Sequence, residues 1–211
     1  MFKMKKYNRK FLRRLFYPGW LYFLSRKLSP ISKKYGMNRG TPLDRYYINK
    51  FLAEHKKDIR GRCLEIRDSR YGQEYASQIE KLDVLDIDTN TQEANIFGDL
   101  RLLNNVSDDT YDCIILTQVL QYINDLDSAA KECRRILKPN GVLLATVPAM
   151  SRLDPKVTEF WRFTPEGLAF VLSPVFNKEK TETKAYGNVL AGLGFWAGQA
   201  TEEFSSRILD Y

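Results

Sequence analysis

Apolar residues recur along this chain in two patterns, short unbroken runs and amphipathic stretches. The runs are RCLEI (62–66), KLDVLDID (81–88), EANIFGDL (93–100), YDCIILTQVL (111–120) and GVLLATVP (141–148). Each is bounded by polar or glycine-containing turns, so each predicts a buried strand. Between and around them lie helical patterns. LDRYYINKFLAEHKKDI (43–59) predicts a helix with Thr41 as a candidate N-cap and Pro42 at the first helical position. A short helix is expected near Glu74 to Glu80. Another is expected over DSAAKECRRIL (127–137), stopped by Lys138-Pro139-Asn140-Gly141. Continuously apolar strands separated by helices imply a mostly parallel sheet covered on both faces, a doubly wound α/β architecture.

Residues 1–36 read differently and form a basic, aromatic-rich arm ahead of a domain spanning 37–211. Phe11, Leu12, Leu15 and Phe16 recur at helical spacing beside Lys10, Arg13 and Arg14, and Tyr17-Pro18-Gly19 divides the arm into two short helices. Charge sharpens the division. Twelve Lys or Arg precede the first acid, Asp44, and the remainder carries 21 basic and 26 acidic residues, so a net +7 chain is net −5 from Asp44 onward. The arm therefore has two readings: it lies on an anionic membrane or other polyanion, or it packs its apolar stripe on the domain and solvates its bases. A net acidic domain disfavours nucleic acid as the partner.

Three widely spaced cysteines, Cys63, Cys113 and Cys133, each sit in or beside an apolar run, which indicates neither a disulfide framework nor a zinc site. A cytoplasmic or a membrane-peripheral setting fits. The start, MFKMKKYNRKFLRRLF, lacks the uninterrupted apolar core of a signal peptide.

In doubly wound sheets the ligand sits beyond the carboxyl ends of the strands, near the switch in strand order. The residues just after each strand are therefore the candidates. They are Glu65 with the turn Arg67, Asp68, Ser69, Arg70, Tyr71, Gly72; the acids Asp83, Asp86 and Asp88; Asp99 and Leu100; and Thr117 and Gln118. An acid ending the second strand can accept both hydroxyls of a ribose, because a carboxylate offers two acceptor oxygens. An Asp beside a Leu after the third can bind an adenine amine and pack its ring. Asp112, at the amino end of the fourth run, reads as structural.

The order LEI, acidic second strand, GDL, YDCIILTQVLQYI, RRILKPNGVLLATVP resembles the class I S-adenosylmethionine (SAM)-dependent methyltransferases of the small, metal-independent kind. FWRFTPEGLAFVL (160–172) is similar to a segment of relatives often linked to glycan biosynthesis, and RGTPLDRYY (39–47) and AYGNVL (185–190) resemble one subgroup. The resemblance covers roughly residues 37–210 and implies a Rossmann-like fold, SAM as cofactor, no metal, and O-methylation of a sugar, glycan or similar small-metabolite hydroxyl. It also implies a closing antiparallel strand, whereas SSRILDY follows what reads as a helix.

One departure bears on activity. The family's first strand runs into a GxGxG turn, and here Arg67 and Ser69 stand where the first glycines would, leaving only Gly72. Either a variant turn binds SAM, with Asp68 or Glu65 meeting its ammonium and Tyr71 packing nearby, or the chain is a non-catalytic binding or scaffolding module, or the fold serves another reaction. Where relatives often carry a histidine, this chain has Gln121, which cannot take a proton. The candidate bases are then Asp154, Glu159 and the lone histidine, His55. Trp161 and Arg162 offer an indole face and a guanidinium to a sugar or anionic acceptor, with Arg45 and Tyr46 as further substrate candidates.

Overall fold

The computed structural model describes residues 9–16, 18, 19 and 28–211. The chain divides into two compact units, one of residues 1–50 with 186–211 and one of residues 51–185. The expected arm thus shares a unit with the end of the chain. The second short helix expected after Gly19 falls largely outside the described residues.

The 51–185 unit is built on five parallel strands in the order β3-β2-β1-β4-β5, where β1 is Gly61–Ile66, β2 Ile79–Asp86, β3 Ile96–Phe97, β4 Tyr111–Thr117 and β5 Leu137–Thr146. This is the expected doubly wound fold. The strand order reverses between β1 and β4, so the ligand crevice of such a sheet lies beyond their carboxyl ends. Crossovers are α3 (Arg70–Glu74) and α4 (Leu126–Ile136), and α5 (Pro165–Phe176) follows β5. Asp125 caps α4 by accepting from Ser128 N, and Thr164 caps α5 by accepting from Gly167 N. The core joins Leu64, Ile114, Leu116, Cys133 and Ile136.

Element boundaries differ from expectation for local reasons. β3 keeps only two residues because the Asn95 side chain takes the place of a backbone acceptor ahead of it: its Oδ1 accepts from Val84 N (2.7 Å) and its Nδ2 donates to Asp83 (2.8 Å). β4 ends at Thr117 because Gln118 turns to φ +56°, and Leu120–Tyr122 then form a 3-10 turn. Lys138–Gly141 do not precede β5 but lie within it. Between the pairs Tyr111↔Leu137 and Cys113↔Val142, β5 advances five positions against two on β4, and Asn140 at φ +65° takes up the excess. The helix α3 begins at Arg70, earlier than expected, because the turn before it is organised by Glu65.

The other unit contains α1 (Arg9–Phe16), the first part of α2 (Leu43–Glu54), α6 (Val189–Ala197) and α7 (Ser206–Leu209). Its small core is Leu43, Ala191 and Leu209 with Tyr46, Tyr47, Phe195 and Phe204 around it. A buried bidentate ion pair holds Arg39 to Glu203 at 2.8 Å through both oxygens, and Glu203 also accepts from the N–H groups of Gly19 and Ala200. Among the described residues no helix is long and apolar enough to cross a membrane.

Candidate functional site

The turn after β1 is the centre of the candidate site. Arg67 occupies the left-handed region at φ +82°, the conformation a glycine adopts freely and other residues adopt at a cost of about 1–2 kcal/mol. Its N–H donates to Leu85 O at 2.8 Å, which fixes the turn to β2. The side chain is exposed, and no described residue pairs with its guanidinium. Glu65 is buried, 1% exposed, and its two carboxylate oxygens accept from Tyr71 N (3.0 Å) and Gly72 N (2.7 Å). Burial lifts this carboxyl to about 7 against the pull of those two N–H bonds. Gly72 sits close under its neighbours: a Cβ there would stand 2.6 Å from Leu82 Cδ2 and 3.0 Å from Glu65 Oε2, so the Leu82 side chain would have to shift.

These contacts correct two expected roles. Glu65 is 1% exposed and turns its carboxylate toward the backbone of the turn, so it presents no oxygen to the open crevice. Tyr71 is buried in the core at 1% exposure, so it lines no open site. Asp68 remains half-buried, with one oxygen accepting from Arg70 N at 3.2 Å.

At the end of β2, Asp86 is half-buried. Its Oδ1 accepts from Asp88 N at 2.9 Å, and no described residue hydrogen-bonds its Oδ2. Asp83 is a different matter. It lies three residues before the strand end, about 10 Å short of the crevice at ~3.3 Å per residue. Its 1%-exposed carboxylate is held by Arg62 Nε (2.9 Å) and Nη2 (2.7 Å), Asn95 Nδ2 (2.8 Å), Lys81 Nζ (3.2 Å) and the Tyr111 hydroxyl (3.3 Å). Asp83 is a structural anion, not a ribose ligand. Burial raises its pKa, and the hydrogen bonds from Asn95, Arg62 and Lys81 together outweigh that and hold it low.

After β3, Arg101 grips both oxygens of Asp99, through Nε at 3.0 Å to each and through Nη2 at 2.5 Å. Arg101 Nη1 also donates to Asn124 Oδ1 at 2.6 Å, tying this loop to the one after β4. The expected adenine contact therefore competes with an arginine, which holds the Asp99 pKa down chiefly through its side-chain bonds. Leu100 is buried and packs in the core.

Thr117 and Gln118, half-buried, end β4 beside the switch point. Beyond them Gln121 is 2% exposed; its Nε2 donates to Gln118 O at 3.0 Å, and its Oε1 is buried without a partner. Thr146 Oγ1, at the end of β5, is likewise buried and unpartnered. Two orphaned acceptors at the carboxyl ends of adjacent strands are what a donor-bearing ligand would satisfy. Gln121 was expected only as a missing base. A buried amide next to the switch point is the signal that marks it.

The segment after β5 is stapled over these loops. Phe160 N donates to Gln121 O (2.8 Å), Trp161 Nε1 to Ile123 O (2.7 Å) and Phe163 N to Pro148 O (3.1 Å). Trp161 thus has its polar edge anchored while the residue stays 40% exposed. Arg162 Nη2 donates to Glu159 Oε2 at 2.8 Å, and Nη1 to Trp161 O. The Glu159 side chain is 7% exposed, so it is a buried counter-ion and not a free base, and Arg162 is committed to it. Asp154 accepts from Lys156 N through Oδ1 only. His55 follows α2 before β1 begins, at the amino ends of the strands, against Phe51 (4.8 Å) and Asp58 (3.6 Å). That end is opposite the crevice, so the structure removes His55 as a base. Arg45 and Tyr46 belong to the other unit, where the Tyr46 hydroxyl donates to Asp210 at 2.8 Å. Asp112 accepts from Arg62 N and Lys138 Nζ, a structural role.

Residues 61–145 match a family model described as a methyltransferase domain. No curated protein matches the chain. Among solved structures it is similar to the YcgJ protein of Bacillus subtilis (18% identity, TM-score 0.38, covering 46% of this chain and 50% of that one). It is also similar to a SAM-dependent methyltransferase of Archaeoglobus fulgidus (16%, 0.49, 62% and 68%). A third is the N-methyltransferase NodS of Bradyrhizobium japonicum in complex with S-adenosylhomocysteine (18%, 0.41, 50% and 62%). The chain spans 50% to 68% of the length of these three structures.

Proposed function

We propose that this chain, which carries a methyltransferase domain, is a SAM-dependent O-methyltransferase whose acceptor is a sugar, glycan or similar small-metabolite hydroxyl. The observation that carries the reading is Arg67 at φ +82°: the turn after β1 keeps the backbone course a glycine would take, although the glycine is gone. The residues around it suit the cofactor. The open Oδ2 of Asp86 suits ribose hydroxyls, the Arg67 guanidinium suits a carboxylate, and the orphaned Gln121 Oε1 and Thr146 Oγ1 suit donor groups. SAM, when bound, supplies an electrophilic methyl on a sulfonium.

The chain's own contribution is mainly position. Trp161, fixed by its Nε1 and open on its ring, can stack on a sugar face, and the Glu159–Arg162 pair keeps that segment in place. Asp154, with Oδ2 uncommitted, is the carboxylate left to accept the hydroxyl proton. Holding acceptor and methyl donor together supplies most of the rate in such a displacement.

The clamped Asp99 favours a second reading, a methyltransferase-like binding module that no longer takes SAM. Calorimetric titration with S-adenosylhomocysteine separates the two. Micromolar binding is expected; absence of heat at millimolar ligand overturns the enzyme reading.

A further inference from the structure

We propose that the unit formed by residues 1–50 and 186–211 is a docking surface for an anionic lipid bilayer. This stands independently of the cofactor reading. The unit carries fifteen Lys and Arg against four Asp and Glu, a net +11, while the 51–185 unit has a net −4. Four of these bases, Arg9, Lys10, Arg13 and Arg14, lie within the eight residues of α1.

Of the apolar residues of α1 only Leu12 is half-buried. No α1 residue is buried, and Phe11, Leu15 and Phe16 are exposed, Phe16 at 79%. The helix is instead held by its polar side: Arg13 Nη1 donates to Asn38 O at 3.2 Å, and Arg14 pairs with Glu202 at 3.6 Å. Those anchors leave the aromatic residues facing solvent.

A second helix of the same unit presents a matching face. In α6 the side toward the unit is Ala191, Gly194 and Ala197; Ile31 N donates to Ala197 O at 2.9 Å and Tyr35 packs on Phe195 at 5.8 Å. The opposite side, Val189, Leu190, Leu193 and Trp196, recurs at helical spacing and is between 47% and 77% exposed. An apolar stripe ending in a tryptophan, within a unit of strong positive charge, matches an anionic interface: acyl chains take the stripe, headgroups attract the bases, and the indole sits at the boundary. A nucleic acid would use the charge but leave the α6 stripe in water.

The test uses the full chain and vesicles of phosphatidylcholine, with and without about one-third phosphatidylglycerol, at about 0.1 M salt. Co-sedimentation is expected with the anionic vesicles and not with the neutral ones. The double variants Arg9→Glu/Lys10→Glu and Leu190→Ser/Leu193→Ser change exposed positions, so circular dichroism should stay native while each lowers the partition at least about tenfold. Absence of vesicle binding by the folded chain overturns the proposal. So does binding that the Leu190→Ser/Leu193→Ser variant retains in full, or a vesicle-indifferent chain that binds RNA or forms a dimer broken by that variant.

Discussion

Arg67 sits at a glycine position without being a glycine, and strain at such a place is commonly kept for function. Arg67→Gly should relieve a left-handed residue worth about 1–2 kcal/mol, offset by about 0.5–1 kcal/mol of extra unfolded-chain entropy. Melting temperature should therefore hold or rise slightly. If the guanidinium meets a ligand carboxylate, affinity for S-adenosylhomocysteine should fall about tenfold, the scale of a charge-assisted bond. A variant that melts and binds as the parent does would show that the arginine has no binding role. Glu65 makes a separate prediction. Its folded pKa, about 7, lies above the usual value of 4.5, so between those values the folded chain holds a proton the unfolded chain releases. Glu65 thus favours the fold on the acid side, and this contribution is lost as pH rises toward 7. Glu65→Gln should flatten the decline in melting temperature between about pH 5 and 8. An unchanged slope would show that the glutamate does not titrate there.

At the scale of elements, β4 was legible because its run is almost wholly apolar, β3 was overdrawn because its run is broken by polar residues, and the site was legible only where a residue truly ended a strand. Asp86 ends β2; Asp83 does not, and its distance from the strand end was the clue against it. What no pattern along one strand could reveal was the pairing that brings Arg62 of β1, Asn95 before β3 and Tyr111 of β4 around Asp83. Those contacts depend on register between strands, as the Asp99–Arg101 and Glu159–Arg162 pairs depend on how loops close. The Asp83 cluster ties three strands, so its loss should cost stability and leave the crevice intact. Asp83→Ala strands cations that can partly reach water, and a loss of about 2–3 kcal/mol is expected, below the 3–5 kcal/mol of a wholly buried pair. Urea unfolding measures it, with S-adenosylhomocysteine affinity unchanged per folded molecule. A variant as stable as the parent would mean that the cluster breaks even.

For the whole molecule, composition along the chain revealed a change of character near the start but not that residues 186–211 share a unit with it, because that partnership rests on contacts such as Arg39–Glu203 more than 160 residues apart. The two units differ in what holds them. The sheet unit buries a broad aliphatic cluster that includes Leu64, Leu85, Leu103, Ile114, Leu116, Ile136 and Leu137. The other buries a smaller described set, Leu43, Ile48, Ala191, Ala197, Ala200 and Leu209, and adds ion pairs such as Arg39–Glu203. Burial at about 25 cal/mol per Å² makes the first far harder to open. Native-state hydrogen exchange should therefore find the amides of β1, β4 and β5 exchanging only through global unfolding, and those of α6 and α7 through a smaller opening. Equal protection in both would mean that the chain opens as one cooperative body.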